Sequence, residues 1–301
     1  INKLKGYGIE GPLLRWIEDF LHNRSQFVKV NNASSSHTKV TSGVPQGSVI
    51  GPTLFIYYIN DMPDVVNCVV RIFADDTKAY TSVDTESKRK LLQESIDMLV
   101  QWTDKWLLRF NSSKCKVIHL GKHNPNYDYF MKDDTTVNLL ESVQSEKDLG
   151  VIVDKDLSFE EHINEVVKRA NKISGLLKRT IVNKNKSIMA PLFKALVRPI
   201  LEYGNAIWSP RLKKHTVSIE NVQRHFTKCI VGIGGLSYED RLRSLHLPSL
   251  EYRRLRGDLI EAFKILHHIY DVKTTQGLLT KSETTLTRGH DLRLIKKICK
   301  N

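Results

Sequence analysis

One short stretch limits the folds open to this chain more than any other: Val69-Val70-Arg71-Ile72-Phe73-Ala74-Asp75-Asp76-Thr77-Lys78-Ala79-Tyr80. Two β-favouring runs, one β-branched and one carrying Thr and an aromatic, flank a pair of adjacent aspartates, which predicts a hairpin with the acidic pair at its turn. Neighbouring carboxylates repel, and each disfavours ionisation of the other. Such a pair either stays solvated or holds hard cations between its oxygens. The first choice makes the pair surface decoration; the second makes it a metal site.

Composition sets the frame for that choice. A chain of 301 residues, 41% hydrophobic and 26% charged, is long enough for about two domains with real cores. The most apolar stretch, residues 49–59, contains Gly51-Pro52 and falls short of the roughly 18 apolar residues of a membrane span. The start does not resemble a signal peptide. It opens at Ile1 in a helical pattern, so a fragment of something longer is expected. Cys68, Cys115, Cys229 and Cys299 lie far apart, with no CxxC pair and no His at zinc spacing, which argues for reduced thiols rather than a zinc module. The net charge of +13 is lopsided: residues 1–150 carry 18 basic and 18 acidic side chains, so the whole excess falls in residues 151–301. A basic half joined to a neutral half with an acidic pair suggests a polyanion held beside a metal site. A solvated lysine-rich surface is the plain alternative.

Periodicity fills in the rest. After Gly11-Pro12, the spacing of Leu13, Leu14, Ile17, Phe20 and Leu21 predicts a helix. Phe27-Val28-Lys29-Val30 and Thr38-Lys39-Val40, separated by the polar run 31–36, predict a hairpin. In Ser42-Gly43-Val44-Pro45-Gln46-Gly47-Ser48 two glycines flank a stiffening proline, and Ser48 is placed to cap a helix carrying Leu54, Phe55, Tyr58 and Ile59. Residues 84–109 read as a helix with Trp102 and Trp106 in the core, 116–120 as a strand, 124–134 as a polar connection and 148–154 as a strand with Gly150 allowing close approach or a bulge. Ser158 with Glu161 has the form of a capping box. The helix it opens sets Ile163, Val166, Ala170 and Leu177 against Lys168, Arg169, Lys172 and Lys178. Further helices are predicted over 187–201, bent by Pro191 and closed near Pro199, and over 221–231 and 249–270. From Asp271 the tail loses apolar periodicity and ends in Lys296, Lys297 and Lys300.

These residues closely resemble a known family. Ser42 to Ser48, Gly51-Pro52, Phe55, Asn60-Asp61 and Phe73-Ala74-Asp75-Asp76 resemble the reverse transcriptases of non-LTR (LINE-type) retrotransposons of the CR1/jockey kind. Leu149-Gly150-Val151, Leu157-Ser158-Phe159 and His162-Ile163 are similar to the family's primer-grip region and first thumb helix. Arg198-Pro199-Ile200-Leu201-Glu202-Tyr203-Gly204 and Trp208-Ser209-Pro210 are similar to its downstream block, and Lys3-Leu4, Gly8-Ile9 and Trp16-Ile17 to the stretch after its first catalytic motif. The resemblance covers about residues 1–270. An Asp-Asp pair alone is weakly specific; the Gly-Val-Pro-Gln-Gly loop followed by Phe-Ala-Asp-Asp is strongly so.

The resemblance implies RNA-directed DNA synthesis by two-metal nucleotidyl transfer, with Mg²⁺ (Mn²⁺ as a substitute), an RNA template, a DNA primer and deoxynucleoside triphosphates. It makes Asp75 the main metal ligand and Asp76 its neighbour, and sets Gln46, Gly47 and Phe73 against the incoming nucleotide. It gives Lys114 the role of general acid toward pyrophosphate, with Lys116 a competitor and an ordinary surface lysine an equal reading for either. Leu149, Gly150, Lys168, Arg169 and Lys172 would contact primer and template. The implied fold is α+β: a partial polymerase palm (antiparallel sheet with packed helices) over residues 1–155, a helical thumb over 156–215, and a basic helical C-terminal extension with a loosely ordered tail over 216–301. The family's first catalytic aspartate, fingers and endonuclease lie upstream of the stretch matching Lys3-Leu4. The chain is therefore expected to be catalytically incomplete, with an upstream endonuclease and fingers region of the same polyprotein as partners. Location in nucleus and cytoplasm, without membrane association, is the family expectation. The alternatives are a non-catalytic nucleic-acid-binding relic or co-opted scaffold and, fitting less well, an intron maturase.

Overall fold

Gly11 and Pro12 start a helix as the sequence predicts, and the same logic of start signals and apolar stripes builds most of the chain. The structure, a computed structural model, describes residues 1–133, 136–282 and 293–295. Asp134, Cys299 and the basic end at Lys296, Lys297 and Lys300 lie outside the described residues. The chain divides into two compact units, Ile1–Val143 and the residues from Gln144 onward.

In the first unit, α1 (Asn2–Gly6) and α2 (Gly11–Leu21) bury Leu4, Leu14 and Ile17 in a small cluster. The predicted 27–40 hairpin is a nested pair of ladders: β1 (Ser25–Gln26) with β4 (Thr38–Lys39), and β2 (Lys29–Val30) with β3 (Ala33–Ser34). β3 comes from the run read as turn, because Asn31 takes positive φ and folds the chain back at once. Before α3 (Gly51–Ile59), the Ser48 hydroxyl accepts from the Gly51 amide at 3.1 Å and donates to the Pro45 carbonyl at 2.7 Å. The cap on the first helical amide is present, although Ile50 is the N-cap residue.

β5 (Val69–Phe73) and β6 (Asp76–Tyr80) form the predicted hairpin. It packs beside α4 (Glu86–Trp106), whose N-cap Thr85 accepts from the Lys88 amide. One flank of α4 adds Leu99 and Trp102 to Ile59, Met62 and Val70, and another sets Ile96 against Tyr129, Met131 and Leu140. β7 (Lys116–Ile118) is followed by β8 (Phe130–Asp133), β9 (Thr136–Leu139) and β10 (Glu141–Val143). β8 corrects the reading of 124–134 as connection. Its polar appearance hides the alternation of a strand with only Met131 buried. Among the described residues no continuous antiparallel sheet forms. The ladders are two-stranded, and β10 runs parallel to β7.

In the second unit, β11 (Ser145–Asp148) and β12 (Val151–Asp154) pair antiparallel around Leu149-Gly150. The predicted single strand over 148–154 is thus a hairpin, and Gly150 sits in its turn, in close approach to the Tyr203 ring rather than at a bulge. The Ser158 half of the capping box is present. α5 (Glu160–Thr180) follows Phe159 at φ 55°; the Ser158 hydroxyl accepts from its first amide, that of Glu160, at 3.3 Å, while the Asp154 carboxylate holds the lead-in loop by accepting from the amides of Asp156, Ser158 and Phe159. These bonds hold the Asp154 carboxyl below its ordinary range despite burial, the largest influence, pushing it up.

α6 (Lys186–Leu192), a π turn over Phe193–Val197 and α7 (Arg198–Glu202) follow as one helical path. Pro191 lies inside it and a π turn follows directly. Pro199 opens α7 rather than closing the helix, because a first-turn proline needs no amide. α8 (Asn205–Trp208), α9 (Lys213–Lys228), α10 (Tyr238–Leu245), α11 (Leu250–Leu266) and α12 (Val272–Thr275) complete the unit. Ile163 and Ala170 of α5, Phe193, Leu201, Trp208, and Ile219 and Phe226 of α9 are fully buried in one cluster. Helices on both sides of residue 215 therefore share a single core.

Candidate active site

The register Phe73↔Asp76 leaves Ala74-Asp75 as a two-residue turn, with Ala74 at φ 52°. Tight hairpin turns of this kind need positive φ, which costs an alanine more than a glycine. Val70 is buried while Val69, Phe73 and Tyr80 are exposed, so the hairpin alternates between a packed and an open face. Asp75 and Asp76 are both exposed at its tip. Asp75 also lines a cleft of about 110 Å³ with an apolar floor from Phe55, Ile59, Met62, Leu108 and Phe110 and with Arg109 in its wall.

Two adjacent carboxylates are hard oxygen donors of the kind Mg²⁺ takes. They fit that ion in chemistry but not in number: no group of three or more His, Cys, Asp or Glu side chains able to hold a metal occurs among the described residues.

The other predicted residues of this unit are dispersed. Gly43 and Gly47 adopt the positive φ expected of the loop, at 84° and 82°, and leave Gln46 and Gly47 exposed. Phe73 is 64% exposed beside the turn. Lys114 is exposed in the 3₁₀ turn Ser112–Lys114, which Asn111 caps by accepting from the Ser113 amide. Gln46, Gly47, Phe73 and Lys114 do not line the cleft; Asp75 does.

Sequence reasoning missed the far wall. Leu108, Arg109 and Phe110 reach it because Leu107 ends α4 in the left-handed conformation, and only the end of the apolar repeat at Trp106 hints at this. It also missed Lys3. Its ammonium donates to the Tyr58 carbonyl at 2.5 Å, pairs with Asp61 at 2.6 Å, and lies 3.8 Å and 4.5 Å from the ring centroids of Trp106 and Trp102.

In the second unit, Leu149 and Gly150 form the β11–β12 turn with φ 44° and 86°. The Tyr203 hydroxyl donates to the Leu149 carbonyl at 2.8 Å, and a Cβ at residue 150 would lie 3.2 Å from Tyr203 Cε1. Behind the turn, His162 Nδ1 accepts from the Ile152 amide at 3.2 Å, and the ring packs edgewise on Trp208. Burial, then the charges of Arg169 and Lys147, hold that imidazole below its ordinary value. Lys168, Arg169 and Lys172 are exposed along α5, clear of its buried stripe.

The family model described as "Reverse transcriptase (RNA-dependent DNA polymerase)" matches residues 1–190, and the chain belongs to that family. Within it, the similarity runs to polymerases of non-LTR retrotransposons. The chain is 28% identical over 251 residues to the RNA-directed DNA polymerase from mobile element jockey of Drosophila melanogaster, covering 78% of this chain and 27% of that protein. It is 27% identical over 240 residues to the probable RNA-directed DNA polymerase from transposon X-element of the same species, covering 74% and 25%. To the probable RNA-directed DNA polymerase from transposon BS it is 26% identical over 306 residues, covering 85% and 33%. The chain thus spans about a quarter to a third of the length of these curated relatives. No solved structure matches it.

Proposed function

We propose that the chain supplies the palm and thumb of an RNA-directed DNA polymerase, with Asp75 and Asp76 as two carboxylates of a divalent-metal site and α5 as a contact to template and primer. The observation that carries this reading is the exposed Asp75-Asp76 pair at the tip of a tight hairpin, directly beside a cleft, in a chain of the reverse transcriptase family. Bound Mg²⁺ supplies charge neutralisation at phosphoryl oxygens and lowers the pKa of a coordinated hydroxyl. Asp75 and Asp76 hold it. Phe73 and the Gln46-Gly47 backbone bound the nucleotide, and Lys114 delivers a proton to the departing pyrophosphate. The Leu149-Gly150 turn steadies the primer end, and Lys168, Arg169 and Lys172 neutralise backbone phosphates. In the longer polyprotein, an endonuclease and a fingers region work with these elements, in nucleus and cytoplasm.

Polymerisation by these 301 residues alone is defective on this reading. A third carboxylate completes the metal site, and no third metal-binding side chain joins Asp75 and Asp76 among the described residues. The same observation favours a second reading, a nucleic-acid-binding protein without catalysis.

Salt-dependent binding tests the part both readings share. Binding of an RNA–DNA heteroduplex, followed by fluorescence anisotropy, is expected to fall linearly in log K against log salt. Lys168→Ala/Lys172→Ala is expected to flatten that slope by about 2. Wild-type affinity that ignores salt, or a double variant with the wild-type slope, removes α5 from the interface.

A further inference from the structure

The core accounts for only one face of α11. Leu250 and Arg254 are buried, α8 and α9 pack against that side, and a Cβ at Gly257 would lie 3.4 Å from Nδ2 of Asn205 in α8. On the opposite face Tyr252, Leu255, Leu259, Ile260 and Phe263 are between 38% and 63% exposed. Their spacing keeps them on one stripe, from the first turn of the helix to the last.

Single apolar side chains on a surface need no explanation, but a continuous stripe along a whole helix does. α5 shows the ordinary pattern, with Lys168, Arg169, Lys172 and Arg179 exposed after Glu165. A helix with apolar residues on both faces is one that packs on both.

The charges around the stripe identify what packs there. Glu251 is exposed at its start, and His267 and His268 at its end. Arg256 is exposed in its middle, with no ion pair or ring partner among the described residues. Other charges nearby are engaged, Arg253 with Glu202 and Glu261 with Lys264 and Tyr270. The rings of Phe263 and His267 lie against each other, with centroids 4.1 Å apart.

Laid antiparallel on a second α11, with a two-fold axis between Leu259 and Ile260, this stripe matches itself. Leu259 meets Ile260 of the other copy at the centre. Arg256 then lies over the ring of the other copy's Phe263, and Tyr252 reaches the other copy's His267. Glu251 comes opposite His268, and each helix start lies beside a helix end, as the dipoles favour. A parallel pair instead sets Arg256 against Arg256.

We infer that the outer face of α11 is a homodimer contact, made by two copies of this chain with their α11 helices antiparallel about Leu259 and Ile260. The helix is about 25 Å long, so the contact is small and the dimer concentration-dependent. The inference is separate from the readings of α5 and of Asp75-Asp76.

The full 301-residue chain, treated with nuclease, is followed by sedimentation equilibrium between about 1 and 100 µM. Wild type is expected to shift from monomer toward dimer over that range. Leu259→Glu, at an exposed position, is expected to stay monomeric with an unchanged far-UV circular dichroism spectrum. Arg256→Glu and Phe263→Lys are each expected to weaken association about tenfold or more, the first by removing the cation from the ring and the second by opposing two cations. Arg256→Glu/Phe263→Lys in one chain is expected to restore it, because the new carboxylate of each copy meets the new ammonium of the other. Seven positions apart, the two do not meet within one helix. Wild type that stays monomeric overturns the inference, as does a Leu259→Glu variant that dimerises like wild type. A double variant no stronger than the single ones overturns the antiparallel register and the inference with it. A monomeric chain whose Leu259→Glu variant loses binding to phosphatidylcholine vesicles also overturns it, and assigns the face to lipid.

Discussion

Tyr203 donates its hydroxyl proton to the Leu149 carbonyl across 54 positions of sequence, pinning the β11–β12 turn to the segment after α7. The Tyr203 ring also occupies the space that any side chain at residue 150 would enter. Gly150→Ala is therefore expected to be doubly unfavourable, through its φ of 86° and a 3.2 Å contact, costing about 1–3 kcal/mol. Tyr203→Phe removes only the hydrogen bond and is expected to cost about 1 kcal/mol. Urea unfolding of both variants checks the order; equal losses would show that the ring contact carries no weight.

His162 gives the second unit a pH-sensitive joint. Its Nδ1 accepts from the Ile152 amide only while unprotonated, and burial together with Arg169 and Lys147 keeps the folded pKa below the ordinary 6.5. The unfolded chain binds the proton first as pH falls, so stability is fully present above about 6.5 and declines below it until the folded imidazole also protonates. The slope is at most about 1.4 kcal/mol per pH unit. His162→Gln keeps an acceptor without a titrating group, and its stability between pH 5 and 7 is expected to be flatter than wild type. Parallel pH profiles would remove His162 as the cause.

Lys3 is 10% exposed in its side chain and is held by Asp61 and the rings of Trp106, Trp102 and Tyr58. Lys3→Met keeps the stem but strips the charge, and it is expected to destabilise the first unit by about 2 kcal/mol through lost cation–π and ion-pair energy. Asp61→Asn in the Lys3→Met background is expected to cost little further, because the two act as one pair. Additive losses in this double-mutant cycle would show that the contact is not coupled.

Much of the fold is legible in the sequence because its causes are local. The Asp75-Asp76 hairpin, the start of α2 at Gly11-Pro12 and the Ser48 cap before α3 all follow from residues within one turn of each other. β11 was hidden because Ser145-Glu146-Lys147-Asp148 has no apolar alternation, and Leu149 is an unusual residue for positive φ. Asp154 ties down the loop that leads into α5, a role that the Ser158 pattern does not announce. The acidic pair could be found from adjacent residues alone. Its cleft could not, because Leu108, Arg109 and Phe110 arrive from beyond a 21-residue helix. Lys3 meets Asp61 and Trp106 only through folding, so no spacing announces it.

Primer extension tests the central claim most directly. The 301-residue chain is given an RNA template, an annealed DNA primer, deoxynucleotides and Mg²⁺, with Asp75→Ala in parallel. The account predicts heteroduplex binding by both proteins and extension by neither, because the proposed metal site needs a third carboxylate and none joins Asp75 and Asp76 among the described residues. Robust DNA synthesis by the unmodified chain, abolished by Asp75→Ala, would contradict it by showing that the site is already complete.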